Sequence, residues 1–250
     1  MKIEYRQAKN NAHYVDFRNY LNKLVVSPEV KKICEVGGGA KPAIPLDVIE
    51  KYGLNYTLLD ISSEELAKAP KEYDKIQADI SSPTFNLDGK FDLIFSIMLA
   101  EHVPNGHLFH KNVWNLLRDG GHAFHLFPTM YAVPFMVNQL LPEELSKKLL
   151  EVLVPHRRDT DKLKFPAYYS WCRGPLKKQE NKFNSLGFAV EEYIGFFGTP
   201  AYFIRMKPLQ LLDEWVSSIL IKYPQPLITS YAHVLLRKDV RLQQLSNSID

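Results

Sequence analysis

The sequence predicts an α/β fold with a mostly parallel sheet that is covered by helices on both faces. From residue 32 onward, short apolar segments typical of strands alternate with segments of helical spacing, which implies parallel strands wound in one right-handed sense. A run of glycines separates the first of these strands from the next helix. The segment 91–97 is almost continuously apolar, as expected of a central parallel strand that is buried on both faces.

The individual elements follow from apolar spacing and from end signals. A helix is predicted over residues 12–26, ahead of the Ser27-Pro28 break. A later helix opens at Gly174-Pro175 and closes at Gly187. Asp119-Gly120-Gly121 is expected to end one helix and start the next strand. The other predicted helices cover 43–52, 63–69, 108–117 and 209–223, and the strands cover 33–36, 56–59, 75–78, 91–97, 123–127, 188–194 and 231–236.

The composition indicates one globular domain in a reducing compartment. The chain has 250 residues, of which 46% are hydrophobic, so it can bury one substantial core. Its net charge of +3 includes no long Lys/Arg block, and nucleic acid is therefore not expected as a partner. Cys34 and Cys172 provide neither a disulfide framework nor a cysteine metal site. Without a signal core or an apolar stretch of about 20 residues, a soluble cytoplasmic protein without a membrane partner is expected.

A glycine-rich segment, Glu35-Val36-Gly37-Gly38-Gly39-Ala40, follows the first predicted strand. Glycines at such a turn let the backbone bend sharply and approach a ligand more closely than any Cβ would allow. Asp60 ends the next strand, where a carboxylate can accept hydrogen bonds from both ribose hydroxyls of an adenosine. The alternatives are a plain tight turn and a helix N-cap role for Asp60, which Ser62 could fill equally well.

With these motifs, residues 30–127 resemble the class I S-adenosylmethionine-dependent methyltransferases of the small-molecule type. The resemblance extends to Gln77-Ala78-Asp79-Ile80, to Phe91–Ser96, to Ala100-Glu101-His102-Val103 and to Leu116–Gly121. It implies a Rossmann-like fold with a seven-stranded, mostly parallel sheet and a lid insertion. It also implies that S-adenosylmethionine is the cofactor.

The resemblance assigns roles to individual residues. Glu35 would reach the amino-acid end of the cofactor, Asp60 would hold the ribose, and Asp79 would accept from the adenine amino group. The glycines would let the loop pass beneath the cofactor, and two isoleucines would enclose the adenine ring. The full set expected to bind the cofactor is Glu35, Gly37, Gly38, Gly39, Asp60, Ile61, Asp79, Ile80 and Ser96.

Two positions depart from related glycine patterns. The third glycine of the methyltransferase motif falls on Lys41, and the third glycine of the dinucleotide motif would fall on Pro42. The second departure weighs against a nicotinamide cofactor, because that glycine permits close helix packing beneath a pyrophosphate. S-adenosylmethionine has no pyrophosphate to bind.

The chain is expected to be a single methyltransferase domain with four parts. These are an N-terminal helical cap (1–29), a cofactor-binding core (30–127), a substrate lid insertion (128–172) and a C-terminal part that completes the sheet with a helical insertion (173–250). The lid contains five prolines and a predicted amphipathic helix over 142–154.

His102 and His125 are the candidate general bases, because both lie near the carboxyl ends of predicted strands and histidine titrates near neutral pH. For both residues a packing or hydrogen-bonding role is the alternative. Methyl transfer is an in-line displacement, so positioning of the acceptor is the principal task. The candidate acceptor-binding residues are Tyr131, His156, Arg157, Tyr168 and Trp171.

No metal is predicted, because no carboxylate or cysteine completes a ligand set around His102, His107 and His110. The predicted function is methylation of an oxygen or nitrogen on a small molecule, such as a sugar or secondary metabolite. A non-catalytic module that retains the fold is the alternative, which Lys41 keeps open. An Asn-Pro-Pro-Tyr motif and a basic appended domain are both missing, which weighs against a protein or tRNA acceptor.

Overall fold

The computed structural model describes residues 1–130, 166–199, 202–203 and 206–247. Within these residues the chain forms one eight-stranded sheet. The strands are β1 (Lys2–Gln7), β2 (Lys32–Val36), β3 (Asn55–Asp60), β4 (Asp74–Gln77), β5 (Phe91–Ile97), β6 (Leu117–Pro128), β7 (Phe188–Phe197) and β8 (Tyr231–Lys238).

The sheet has the order β1-β7-β8-β6-β5-β2-β3-β4. Every neighbouring pair is parallel except those of β8, which runs antiparallel to both β6 and β7. The chain moves outward from β2 through β3 to β4 and then returns to place β5 on the other side of β2. This reversal creates a switch point between β2 and β5, where open α/β sheets bind ligands beyond the carboxyl ends of their strands.

Helices cover both faces of the sheet. They are α1 (Ala12–Val25), α2 (Leu46–Tyr52), α3 (Ser63–Lys68), α4 (Gly106–Leu116), α5 (Lys177–Ser185), α6 (Lys207–Lys222) and α7 (Val240–Asn247). On one face Phe17 of α1 stacks on Phe124 of β6 with ring centroids 4.2 Å apart. On the other face Phe109 of α4 and Phe183 of α5 are buried in a second core layer.

The predicted α/β alternation with a mostly parallel sheet is confirmed, but the sheet has eight strands instead of seven. The extra strand is β1, which pairs in parallel with β7 inside the segment assigned to a helical cap. Its charged residues Lys2, Glu4 and Arg6 alternate with Ile3 and Tyr5, a two-residue period typical of a strand. The cap is therefore strand plus helix, because α1 lies where the helix over 12–26 was predicted.

The segment Asp119-Gly120-Gly121 was expected to end a helix, and this prediction is wrong. Helix α4 ends at Leu116, and the three residues already belong to β6. Gly120 has φ +76°, and a Cβ on Gly121 would lie 3.0 Å from the carbonyl oxygen of Phe91. These glycines therefore accommodate the register shift between β5 and β6.

Two helices remain to be compared with the prediction, α7 and the helix expected over 142–154. Helix α7 had no predicted counterpart. The predicted helix over 142–154 lies outside the described residues. In the part of the chain that the structure describes, no helix combines the length and apolarity needed to cross a bilayer.

Candidate active site

The glycine loop turns directly over the end of β2. The amide of Gly37 donates to the carbonyl oxygen of Leu59 at 2.8 Å, which fixes the start of the loop on β3. Gly37 has φ +78° and Gly39 has φ +41°, both in the region that favours glycine. A Cβ on Gly38 would lie 2.7 Å from Cδ of Glu35, so the loop is packed too closely for any other residue.

Lys41 fits the loop without the third glycine of the methyltransferase pattern. Its amide donates to the carbonyl oxygen of Gly38 at 3.1 Å and closes a turn. Lys41 is exposed and is not among the residues with positive φ, so a side chain is tolerated there.

Glu35 is a buried anchor of this loop. Its Oε2 accepts from the amide of Ala43 at 2.8 Å and from the phenol of Tyr56. Burial raises the pKa of Glu35, and the hydrogen bonds from Tyr56 and Ala43 and the charge of Arg18 oppose that rise. Glu35 therefore ties the far end of the loop to β3.

A cavity of about 370 Å³ lies between the glycine loop and α1. Helix α1 contributes Tyr14 and Arg18, neither of which the sequence suggested. The guanidinium of Arg18 donates to the carbonyl oxygen of Ala43 at 2.7 Å, which aligns it along the loop. The complete lining is Tyr14, Arg18, Glu35, Gly37, Gly38, Lys41, Pro42, Ala43 and Ile97.

Asp60 ends β3 and lies against the loop. Its Oδ1 accepts from the amide of Ser62 at 2.9 Å, while its Oδ2 lies 3.2 Å from the position that a Cβ on Gly39 would take. Ser62, not Asp60, caps α3, because its hydroxyl accepts from the amide of Glu65 at 3.2 Å. The N-cap role considered for Asp60 therefore belongs to Ser62.

Asp79 sits in a tight turn just after β4. Its Oδ1 accepts from the amide of Ser81 at 2.8 Å and from the hydroxyl of Ser81 at 2.7 Å. Asn112 of α4 fixes the turn by donating to the carbonyl oxygen of Ile80 at 2.8 Å. The side chain of Ile80 is buried in the core, whereas Ile61 is 61% exposed at the same edge of the sheet.

Ser96 and His125 pair with each other inside the core. The Oγ of Ser96 lies 2.8 Å from Nδ1 of His125, and both side chains are completely buried. His125 is enclosed by the rings of Phe109 and His110, and burial lowers its pKa to about 3. In this position His125 is a neutral packing residue, and the side chain of Ser96 is directed to it.

His102 lies on the 3₁₀ turn Ala100–His102 that follows β5. Its Nδ1 is 2.9 Å from the carbonyl oxygen of Pro166. Because a carbonyl oxygen only accepts, Nδ1 carries a proton, and Nε2 of a neutral His102 is an acceptor. That Nε2 lies 3.7 Å from Oε1 of Glu101.

Glu101 is a buried carboxyl group beside His102 that was not among the candidates chosen from the sequence. It is 5% exposed, and among the described residues its Oε2 has no hydrogen-bond partner. Burial raises the pKa of Glu101 to about 8. The signal was its place in the Glu-His pair after the fourth predicted strand, but burial cannot be read from that pair.

The described end of the lid covers Glu101. The amides of Tyr168 and Tyr169 donate to the carbonyl oxygen of Glu101 at 2.7 Å and 3.0 Å. Tyr168 is half-exposed, whereas Trp171 stacks on His110 with ring centroids 5.5 Å apart and anchors the lid on α4. The other acceptor candidates, Tyr131, His156 and Arg157, lie outside the described residues.

Comparison with known proteins finds one domain match, over the region that contains the glycine loop. Residues 34–125 match a family model described as a methyltransferase domain. No curated protein sequence shows significant similarity to the chain.

Solved structures share the fold at low sequence identity. An S-adenosylmethionine-dependent methyltransferase from Clostridium acetobutylicum has a TM-score of 0.53 and 13% identity, with 90% of this chain and 92% of that chain covered. Coclaurine N-methyltransferase bound to N-methylheliamine and S-adenosylhomocysteine has a TM-score of 0.53 and 17% identity, over 92% and 73%. The [4+2]-cyclase SpnF has a TM-score of 0.55 and 14% identity, over 94% and 83%.

The sequence match is confined to residues 34–125, and the solved structures share with this chain the fold of S-adenosylmethionine-dependent methyltransferases.

Proposed function

We propose that the protein is an S-adenosylmethionine-dependent methyltransferase that methylates a nitrogen or oxygen of a small molecule bound beside Glu101 and His102. The observation that carries this proposal is the buried Oε2 of Glu101, which has no partner among the described residues. An unpaired buried carboxyl group is costly unless a ligand satisfies it. Leu99, two residues before Glu101, packs against the glycine loop, where its Cδ1 lies 2.7 Å from the position that a Cβ on Gly37 would take. Glu101 therefore follows closely on a residue that contacts this loop.

The residues around the loop suit S-adenosylmethionine. We assign the ribose hydroxyls to Asp60, the adenine amino group to Asp79, and the carboxylate of the methionine part to Arg18. The glycines allow the loop to pack directly against Leu99 and Glu35, and Pro42 stands where the dinucleotide motif has its third glycine. Glu35 acts by holding the loop, since its Oε2 is already used by Ala43 and Tyr56.

The bound cofactor would supply an electrophilic methyl carbon on a sulfonium. The chain must therefore align an acceptor and remove its proton. Nε2 of His102 is suited to receive that proton, because the carbonyl oxygen of Pro166 holds the proton on Nδ1. Glu101 is suited to orient the acceptor, as a proton donor when neutral and as a partner for a cationic amine when ionised.

Burial of Glu101 favours a small acceptor. The group is 5% exposed and lies beneath the backbone of Tyr168 and Tyr169. A nucleic acid or a folded protein could present only a narrow projecting group to such a position. A small amine, hydroxyl or carboxylate compound meets this requirement.

The test is production of S-adenosylhomocysteine by the purified enzyme with amines, phenols, sugars and carboxylic acids. With an accepted compound, Glu101→Gln and His102→Gln should each lower kcat/KM by at least about 10-fold, since general acid–base groups contribute 10²–10⁴-fold. Affinity for S-adenosylmethionine should stay unchanged. Glu64→Gln, an exposed carboxylate on α3, is the control.

Two results would count against the proposal. Full activity in both variants would place the acceptor elsewhere. Cofactor binding without turnover of any compound would favour the non-catalytic module. The fold alone does not decide this, because a [4+2]-cyclase also has it.

A further inference from the structure

Helix α6 has an inverted orientation: its polar side faces the protein and its apolar side faces solvent. Ser217 is 4% exposed at the contact. Asp213 accepts from the amide of Thr199 at 2.9 Å, and Glu214 pairs with Lys9 at 3.1 Å. A surface helix of a globular protein normally directs its apolar stripe to the core.

The outward side of α6 is a continuous apolar stripe with helical spacing. Within the described residues, its members and the residues that continue it are exposed as follows: Leu211 58%, Leu212 52%, Trp215 62%, Val216 39%, Ile219 40%, Tyr223 62%, Leu227 52% and Ile228 43%. Contiguous exposed apolar residues on this scale mark an interaction surface. We call this set the α6 face.

The charges around the α6 face are positive. Lys207 and Lys222 are exposed at the two ends of the helix, and neither forms an ion pair among the described residues. The two acidic residues of the helix, Asp213 and Glu214, are engaged with the body of the protein. The α6 face therefore carries cations and no acidic partner for them.

The helix is held firmly at the ligand edge of the sheet. Strand β7 is antiparallel to β8, which is antiparallel to β6, so β7 ends at the same edge as β6. Gly198 follows β7 with φ +95°, and a Cβ there would lie 2.6 Å from Oγ of Ser217. This contact packs the residue that directly follows β7 against the middle of α6.

We propose that the α6 face binds an anionic membrane surface as an interfacial helix. Leucines and isoleucine would enter the boundary of the acyl chains, while Trp215 and Tyr223 suit the polar–apolar boundary. Lys207 and Lys222 would meet lipid phosphates. This partner differs from the expectation, drawn from the sequence, of a protein without membrane contact.

Charge makes a second copy of the chain the poorer occupant. A two-fold contact along α6 pairs the helices either antiparallel, with Lys207 of one copy near Lys222 of the other, or parallel, with each lysine near its own counterpart. The α6 face offers no carboxylate to offset that repulsion, whereas anionic lipid does.

Sedimentation with vesicles tests the proposal on the whole chain. Binding is expected to vesicles of equal phosphatidylcholine and phosphatidylglycerol, with a blue shift of Trp215 emission, measured as the difference from Trp215→Phe. The combination Leu211→Ser, Trp215→Ser and Ile219→Ser should weaken binding at least 10-fold. Lys207→Gln with Lys222→Gln should remove the preference over pure phosphatidylcholine.

The matched control removes exposed valines elsewhere, Val15→Ser with Val26→Ser, and should keep binding. Circular dichroism and S-adenosylmethionine affinity must match the parent in every variant, which separates loss of the face from loss of the fold.

Three results would overturn the proposal. Binding that survives the triple serine variant would place the contact elsewhere. A dimer in light scattering that this variant dissociates would make the α6 face an interface between copies. If Trp215 emission is already blue-shifted in a lipid-free monomer, another part of the chain covers the indole.

Discussion

The phenol of Tyr56 on β3 and the carboxylate of Glu35 on β2 are joined by a hydrogen bond at the base of the glycine loop. The same oxygen of Glu35 accepts from the amide of Ala43 at 2.8 Å. One buried atom therefore links two strands to the far end of the cofactor loop.

Tyr56→Phe should destabilise the protein and weaken cofactor binding together. Loss of the phenol removes a donor from a buried carboxylate, which costs about 1–3 kcal/mol in the free energy of unfolding. Urea unfolding and calorimetric titration measure the two effects. Tyr193→Phe is the control, since its phenol donates to the carbonyl oxygen of Arg173 at 2.7 Å away from the loop. Equal cofactor affinity in both variants would contradict the anchoring role of Tyr56.

Gly39→Ala should reduce affinity for S-adenosylmethionine, whereas Gly53→Ala should not. Both glycines have positive φ, +41° and +59°, so both substitutions should cost about 1 kcal/mol of stability. Only at Gly39 would the new Cβ meet Asp60, at 3.2 Å, while at Gly53 it meets nothing within 4 Å. Calorimetry with S-adenosylhomocysteine separates the two. An unaffected Gly39→Ala variant would place the ribose away from Asp60.

Arg18→Gln should weaken S-adenosylhomocysteine and leave 5′-methylthioadenosine unchanged, because the second ligand lacks the amino-acid part. Asp60→Asn should weaken both, since both carry the ribose. A hydrogen bond to a charged group contributes about 1.5–3 kcal/mol, or roughly 10- to 150-fold in Kd. Arg18→Gln weakening both ligands equally would show that it acts by distorting the loop.

Glu101→Gln should stabilise the enzyme increasingly as pH rises. Burial raises the pKa of Glu101 from 4.5 to about 8, so between these values the folded state retains a proton that the unfolded state has lost. Stability of the parent therefore falls with rising pH across this window, by up to about 1.4 kcal/mol per pH unit from this group. Below pH 4.5 the group is neutral in both states.

Urea unfolding at pH 5, 6.5 and 8 measures this difference between parent and variant. A constant difference across the series would mean that Glu101 ionises normally. Glu64→Gln is again the control, because its carboxylate is exposed.

Local signals explain why much of the fold was predictable. The apolar strands, the glycines after Glu35 and the carboxylate at Asp60 are each visible in a few consecutive residues. Strand β1 was missed because its partner, β7, lies far along the chain and the apolar residues are only Ile3 and Tyr5.

The site was predictable only where one segment supplies it. Tyr14 and Arg18 reach the cavity because α1 packs beside the loop, which is a tertiary relationship. His125 lies near the end of the fifth predicted strand, yet the core of aromatic rings around it cannot be read from that position. Glu101 and His102 are neighbours in sequence and differ in burial, a property of the packed lid and sheet.

Strand β1 pairs Lys2 with Glu192 and Gln7 with Phe197, so residues 2–7 can join the sheet only after a segment about 190 residues further along the chain has been synthesised. Until β7 has been synthesised, residues 2–7 have no strand to join and remain unpaired on the nascent chain. Once paired, β1 covers the edge of β7. Deletion of residues 2–7 would expose a long apolar strand edge to other chains and should lower the soluble yield in the cell.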